Sequence, residues 1–245
     1  MLLIGGKMVD PTETGFPAKW PTQCTPENPT QLTLNRKCYR VRDTGKGEGA
    51  LASVAHTIHG NVSKPQILLP GAGPANREYL VVKNWNRGAA NKVKPRYASS
   101  HLVVGYDGHI VSPLDLVVNA SFSVSTVPKG SKKLADSVNG WTISLEMCQT
   151  DADKGWRLYQ ATVDASAAII DWCATRFCWP KVYPGKADGQ WVSAKFPRAI
   201  LLATRGCFGH CNVQFADRGV GDPNKFIFDA LRDQYGWKPV LATGK

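Results

Sequence analysis

Between Tyr159 and Phe177 the apolar residues Tyr159, Val163, Ala167, Ile170, Ala174 and Phe177 recur every three or four positions, and Arg157, Gln160, Asp164 and Asp171 fall outside that stripe. An α-helix is the conformation that brings residues so spaced onto one side. The pattern predicts a helix over about 155–177, capped at its start by Asp151 or Asp153 and blocked beyond its end by Pro180. A helix with one apolar stripe needs a surface to cover. Trp141–Met147, just upstream, offers one, because Ile143 and Leu145 alternate with Ser144 and Glu146 in the period of a strand.

Further strands are expected at Leu51–His56, His101–Gly105 and Ile200–Thr204, and a further helix at Asn224–Leu231. Asp107-Gly108, between two apolar runs, signals a hairpin with positive φ at both central residues. The connection after His56 carries Pro65, Pro70, Gly71, Gly73 and Pro74 and reads as a long functional loop. Strands mixed with two or three helices predict an α/β fold, with a central mixed sheet flanked by helices. Residues 1–48 are rich in Pro, Thr, Gly and Lys and read as an irregular N-terminal arm over the main domain (residues 49–245), with Trp20, Cys24 and Cys38 as anchors.

At 245 residues the chain can bury a core without disulfide help. Its seven cysteines show no paired C-x-x-C spacing, so a reduced and mostly buried set is expected. A net charge of +11 points to a polyanionic partner. Nucleic acid would call for basic residues interleaved with aromatics on one face. Trp85-Asn86-Arg87 and Tyr97 beside Lys94 and Arg96 are the nearest match, but in a loop walling a cleft they suit carbohydrate stacking equally, and no nucleic acid is expected. No run is long and apolar enough to cross a bilayer or serve as a secretory signal. The chain is therefore expected to be made in the cytoplasm and to act elsewhere only after release. The long helix shows no second apolar stripe for a partner, which favours a monomer.

A catalytic zinc takes three protein ligands and leaves a fourth place for water. His56, His210 and Asp222 form a natural set, since each follows or flanks a strand end; His59, three residues on, is the rival to His56. Glu146, on the polar face of its strand, is placed to take a proton from that water and pass it to a leaving amine. Arg218 is a candidate for stabilising an oxyanion, or else a surface cation. Cys207, His210 and Cys211 offer a competing structural zinc site, but no second pair has matching spacing. His101 reads as a buried hydrogen-bonding residue under the site, and His109, past the turn, as exposed.

Ala98-Ser99-Ser100-His101-Leu102-Val103-Val104 with Asp107-Gly108, then Thr142-Ile143-Ser144-Leu145-Glu146, then Gly209-His210-Cys211 and Asp222-Pro223, resemble in order and spacing the zinc-dependent N-acetylmuramoyl-L-alanine amidases of type 2. That family is related to the peptidoglycan recognition proteins and common among phage endolysins. The resemblance covers about residues 50–236. It implies His56, His210 and Asp222 as zinc ligands, Glu146 as the catalytic carboxylate, and a zinc cleft on one face of the sheet. The implied reaction is hydrolysis of the amide between the lactyl group of N-acetylmuramic acid and L-alanine, with peptidoglycan in an anionic cell envelope as partner. The chain departs from the family pattern at Val220, where many members carry Lys, at Asn224, where they carry Gly, and at Val118-Asn119-Ala120 in place of Trp-His-Ala. The other function the resemblance allows is a peptidoglycan-binding module of the same fold that does not cut.

Overall fold

The computed structural model describes residues 2–9, 22–23, 34–43, 49–57, 68–93, 97–123, 138–151, 154–194, 196–213 and 225–241. The chain opens with an antiparallel hairpin, β1 (Leu2–Ile4) and β2 (Lys7–Val9), closed by Gly5 and Gly6 at φ 58° and 77°. Next come β3 (Thr22–Gln23), a 3₁₀ turn at Arg36–Cys38, β4 (Tyr39–Val41), β5 (Ala52–Thr57) and β6 (Leu68–Leu69). Helix α1 (Arg77–Ala90) leads to β7 (Leu102–Val104), β8 (Ile110–Val111) and β9 (Asn119–Ser121). Strand β10 (Thr142–Met147) and the short β11 (Leu158–Tyr159) precede the longest helix, α2 (Gln160–Arg176). The remainder comprises β12 (Val182–Gly185), α3 (Arg198–Thr204), β13 (Cys207–Gly209), α4 (His210–Val213), α5 (Lys225–Tyr235) and β14 (Lys238–Leu241).

The central sheet has six strands in the order β13–β5–β10–β7–β8–β3. Its four strands from β13 to β7 run parallel, β7 and β8 are antiparallel, and β3 lies parallel to β8 at the edge. The architecture is thus mixed α/β, with a mixed sheet between helices, as the element order requires. Alternation divides the strand residues between two faces. Ala55, Leu102, Val104, Ile143, Leu145 and Met147 meet the buried side of α2 together with α5 in one large cluster. The opposite face carries two smaller clusters. Val103 and Val111 pack with Val81 and Val82 of α1, and Ala52, Val54 and Phe208 pack with Trp141, Phe196 and Leu201 of α3. Glu146, between the rows of Val103 and Val54, falls where these two clusters part.

Several expectations hold. β5 and β10 lie where the alternation puts them, Ile143 and Leu145 share the α2 side, and α5 covers most of the expected C-terminal helix. Cys38, Cys148, Cys173 and Cys207 are free and buried; Cys211 is half-buried, Cys178 is exposed, and Cys24 lies outside the described residues.

Other expectations are corrected. Ile200–Thr204 is helix, not strand: a five-residue apolar run carries no period to choose between them, and the strand is the glycine-flanked Cys207–Gly209. The long connection after β5 contains α1, so Trp85 and Arg87 sit on a helix and not in a loop. Helix α2 begins at Gln160, because Leu158 and Tyr159 pair with β6; its N-cap is Tyr159 and not Asp151, and Asp153 lies outside the described residues. The hairpin at Asp107-Gly108 exists, but only Gly108 has positive φ, at 83°. Gly108 N–H donates to Gly105 O and Gly105 N–H to His109 O, giving a three-residue loop with one left-handed residue. The described parts of the N-terminal arm are not irregular: Leu2 is fully buried in the main cluster, and the Gly5 and Gly6 amides donate to the Asp115 carboxylate at 3.0 and 2.7 Å. Cys38 is a buried anchor there; Trp20 lies outside the described residues.

Gly108 meets α2 directly, since a Cβ at this position would stand 2.8 Å from Ala161 O. Both the left-handed φ and this approach oppose any other residue. Gly108→Ala is expected to lower the unfolding free energy by about 2 kcal/mol, read from denaturant midpoints; an unchanged midpoint would show that turn and helix are not packed as described.

Candidate functional site

The parallel strands end together, and their carboxyl ends carry the residues singled out by sequence. In the ladder, Glu146 of β10 pairs with His56 of β5 on one side and with Val103 of β7 on the other. Gly209 of β13 pairs with Ala55, so His210, the next residue, begins opposite His56. Three residues as much as 154 positions apart thus occupy adjacent strand ends in one row, in the order His210, His56, Glu146. Carboxyl ends of parallel strands are where open α/β sheets bind ligands, because backbone and side chains there are not yet committed to a helix. Asp222, Arg218, His59 and the His56 side chain lie outside the described residues. Among the described residues no group of three or more His, Cys, Asp or Glu gathers around one point.

Glu146 is chemically the most unusual residue of the row. It is half-buried overall, yet its Oε2 is shut off from solvent and has no hydrogen-bond partner among the described residues. Burial pushes its carboxyl up to about 8, as expected where the charged form loses its hydration without a compensating donor. A carboxyl in that range exchanges a proton near neutrality. The orphaned oxygen is also what a cation placed beside it would satisfy.

His210 is half-buried at the first turn after β13. The turn is fixed by Asn212, a fully buried residue. Gly209 N–H and Trp191 Nε1–H donate to Asn212 Oδ1 at 2.8 and 3.1 Å, and its Nδ2 donates to Val192 O and Ala194 O, both at 2.8 Å. One amide therefore ties the strand end to the 191–194 segment with all of its ordinary valences used.

Beneath the row lies a buried polar layer. His101 is fully buried, as expected of it. Ser144 N–H donates to its Nδ1 at 3.0 Å, which leaves the proton on Nε2, and Nε2 meets Asn119 O at 2.9 Å. Arg42 reaches in from the N-terminal segment and donates to Leu116 O at 2.7 Å and Thr142 O at 2.5 Å, with His101 Nε2 3.4 Å away. Ser144 Oγ continues the chain to Ser121 Oγ at 2.7 Å. This network fixes β10 two residues before Glu146.

A second carboxylate sits on the α1 side. Glu78 is fully buried, and its Oε1 accepts from His109 Nδ1 at 2.9 Å while its Oε2 has no partner among the described residues. His109, expected to be exposed, is instead half-buried, stacked on Tyr79 and paired with this carboxylate, because α1 folds over the hairpin. Its neighbour Cys148 is fully buried; burial first, and then the negative charge of Glu78, hold that thiol well above its ordinary range.

Asn212, Arg42 and Glu78 were not singled out by sequence. Each is a lone polar residue whose significance comes from a tertiary contact, so no spacing advertises it; Glu78 alone carried a weak signal, as the single acidic residue among the apolar positions 81, 82, 85 and 89 that recur at helical intervals.

Burial lowers His101 from 6.5 to about 3, and the Arg42 charge adds to the effect. A depressed folded-state value means that the unfolded chain binds the proton first. The contribution of neutral His101 is thus complete above about pH 6.5 and is lost as pH falls toward about 3. Denaturant midpoints measured from pH 7 to 4 should fall more steeply for the natural chain than for His101→Gln, and equal slopes would remove His101 from the cause. Asn212→Ala is expected to destabilise by about 2–4 kcal/mol, since four hydrogen bonds are lost together, the one from Gly209 N–H fully buried, and to leave the pH slope unaltered. No family model, curated protein or solved structure matches this chain.

Proposed function

We propose that this chain is a zinc-dependent hydrolase of an amide bond in peptidoglycan, cutting between the lactyl group of N-acetylmuramic acid and L-alanine in the manner of the amidases its motifs resemble. The observation that carries the reading is the orphaned, enclosed Oε2 of Glu146, in the same row as the backbone of His56 and the start of His210. Buried carboxyls without partners are rare and are concentrated at sites of chemistry. The zinc cleft is assigned to the sheet face where the α1 and α3 clusters part, which is also the face of Glu146.

His56, His210 and Asp222 would hold the ion, two imidazoles and one carboxylate being a donor set that suits zinc. Bound there, zinc would polarise the amide carbonyl and make water a competent nucleophile near neutral pH. Glu146 Oε2 takes the proton from the attacking water and returns it to the departing amine nitrogen. Burial alone holds Glu146 protonated near neutrality, and a positive charge in the row lowers it into the range where it accepts. Arg218 is assigned to the developing oxyanion. The net charge of +11 supports capture of an anionic envelope, as for a phage endolysin acting on the wall after release.

Metal content and release of free L-alanine amino termini from purified sacculi, measured on one preparation, test the proposal. One zinc per chain with new amino termini is expected for the natural chain. Glu146→Gln should retain the metal and lose at least about a hundredfold in rate, while Asp222→Ala should lose both. Zinc without new amino termini would leave the peptidoglycan-binding module as the reading, in line with Val220 standing where many amidases carry Lys. Absence of zinc from the natural chain would reject the site.

A further inference from the structure

The hydrolase reading leaves Glu78 and His109 unused, although they form the other enclosed carboxyl of this face. Glu78 is fully buried, and among the described residues its side chain bonds to His109 through Oε1. Its Oε2 is accommodated by Gly105, where a Cβ would collide with that oxygen, so the hairpin is shaped around the carboxylate. A tie between α1 and the hairpin could be made at less expense by apolar side chains, as Val81, Val82, Val103 and Val111 already do in the same cluster. What the carboxylate adds is orientation: it accepts the Nδ1 proton, fixes the tautomer and leaves Nε2 as the free end of the ring. No hydrogen bond to Nε2 exists among the described residues, and the His109 side chain keeps 14% of its surface open.

Alternation places this free nitrogen. Glu146 pairs with Val103 and Val103 with Val111, while His109 stands opposite Gly105, two residues further along both strands. His109 therefore shares the face of Glu146, two strands away at the same edge, about 10 Å to the side at ordinary strand spacing. His56 and His210 occupy the other side of Glu146. A chain entering from the β7–β8 side needs about three extended residues to cover that distance. The rings nearby are already engaged: Tyr79 stacks on His109, and Tyr106 meets Tyr159 and the Arg77 guanidinium. The neighbourhood thus offers one directed acceptor rather than a flat platform for a sugar.

We propose that His109, oriented by Glu78, is a peptide-binding residue of the cleft whose Nε2 accepts a backbone N–H of the substrate about three residues from the cut. This rests on the proposed hydrolase reading for its substrate class, and it makes the preferred ligand a muramyl peptide with at least three stem residues. The test measures binding by calorimetry, which needs no turnover, in the Glu146→Gln background. N-acetylmuramyl-dipeptide and the corresponding pentapeptide are the two probes. His109→Gln should weaken pentapeptide binding about tenfold, the equivalent of one well-placed hydrogen bond, and leave the dipeptide within about twofold. Glu78→Gln, which keeps an acceptor for Nδ1 and so guards against misfolding, should show a smaller loss of the same length dependence. Equal losses for both probes, unchanged affinity for both, or no binding of either would overturn the proposal. Failure of the hydrolase reading looks different: the natural chain would release no amino termini, whatever the length dependence of binding.

Discussion

Six consecutive pairs, from Ala52 opposite Thr142 to Thr57 opposite Met147, hold β5 to β10, and the rest of the molecule is referred to that ladder. Strand side chains alternate, so a slip of one residue would turn Glu146 and Ser144 into the α2 core and Ile143, Leu145 and Met147 out of it. The apolar contacts with α2 and the buried bonds of His101 to Ser144 both reject that slip, one from each face. The register is thereby fixed twice, by hydrophobic burial and by hydrogen bonding. The placement of His56, Glu146 and His210 on adjacent strand ends follows from it.

Two kinds of buried polar group share the face away from α2, and the contrast between them is informative. Arg42, His101, Ser144 and Ser121 bond to one another and to backbone carbonyls, which is how a protein encloses polar atoms at little penalty. Glu78 and Glu146 each keep one enclosed oxygen without a partner among the described residues. Such an oxygen costs about 1–3 kcal/mol, and a change to an apolar residue such as Met would remove it. The hydrogen-bonded layer lies below the strand ends, whereas Glu146 Oε2 lies at the end of β10 and Glu78 Oε2 at the start of α1 beside the hairpin. Stability and reactivity are in this way assigned to successive levels of the same face.

What the sequence revealed depended on periodicity. Thr142–Met147 and the stripe from Val163 to Ala174 repeat at the intervals of strand and helix, so both elements were legible, and the strand-end placement of His56 and Glu146 came with them. Ile200–Thr204 repeats at neither interval, and Cys207–Gly209 is too short and glycine-bounded to be seen. His210 was nonetheless assigned to a strand end, though the strand is a different one. Helix α1 had a readable pattern in Glu78, Val81, Val82, Trp85 and Ala89, which the preceding prolines and glycines obscured. Without α1 the sequence around His109 reads as an exposed turn, because the helical signal of the element that buries it is obscured. Asn212 was beyond reach for another reason, since its four bonds run to segments that only the tertiary fold brings together.

The distribution of charge separates capture from chemistry. An excess of eleven cations defines the far field of the molecule, whereas the two carboxyls at the strand ends are enclosed and, in the case of Glu146, held protonated near neutrality by burial. Surface cations act over a Debye length of about 10 Å at 0.1 M salt and are screened beyond it. The proton affinity of Glu146 is set by burial of its carboxyl, which dissolved ions do not alter. On the proposed reading a polyanion is drawn to the surface by forces that salt weakens, and meets at the strand ends a carboxyl whose proton affinity is set by packing. On the proposed reading this division is what a wall hydrolase requires: attraction that can be released as the enzyme moves along an anionic polymer, and a cutting site whose proton affinity does not depend on how much of that polymer is bound.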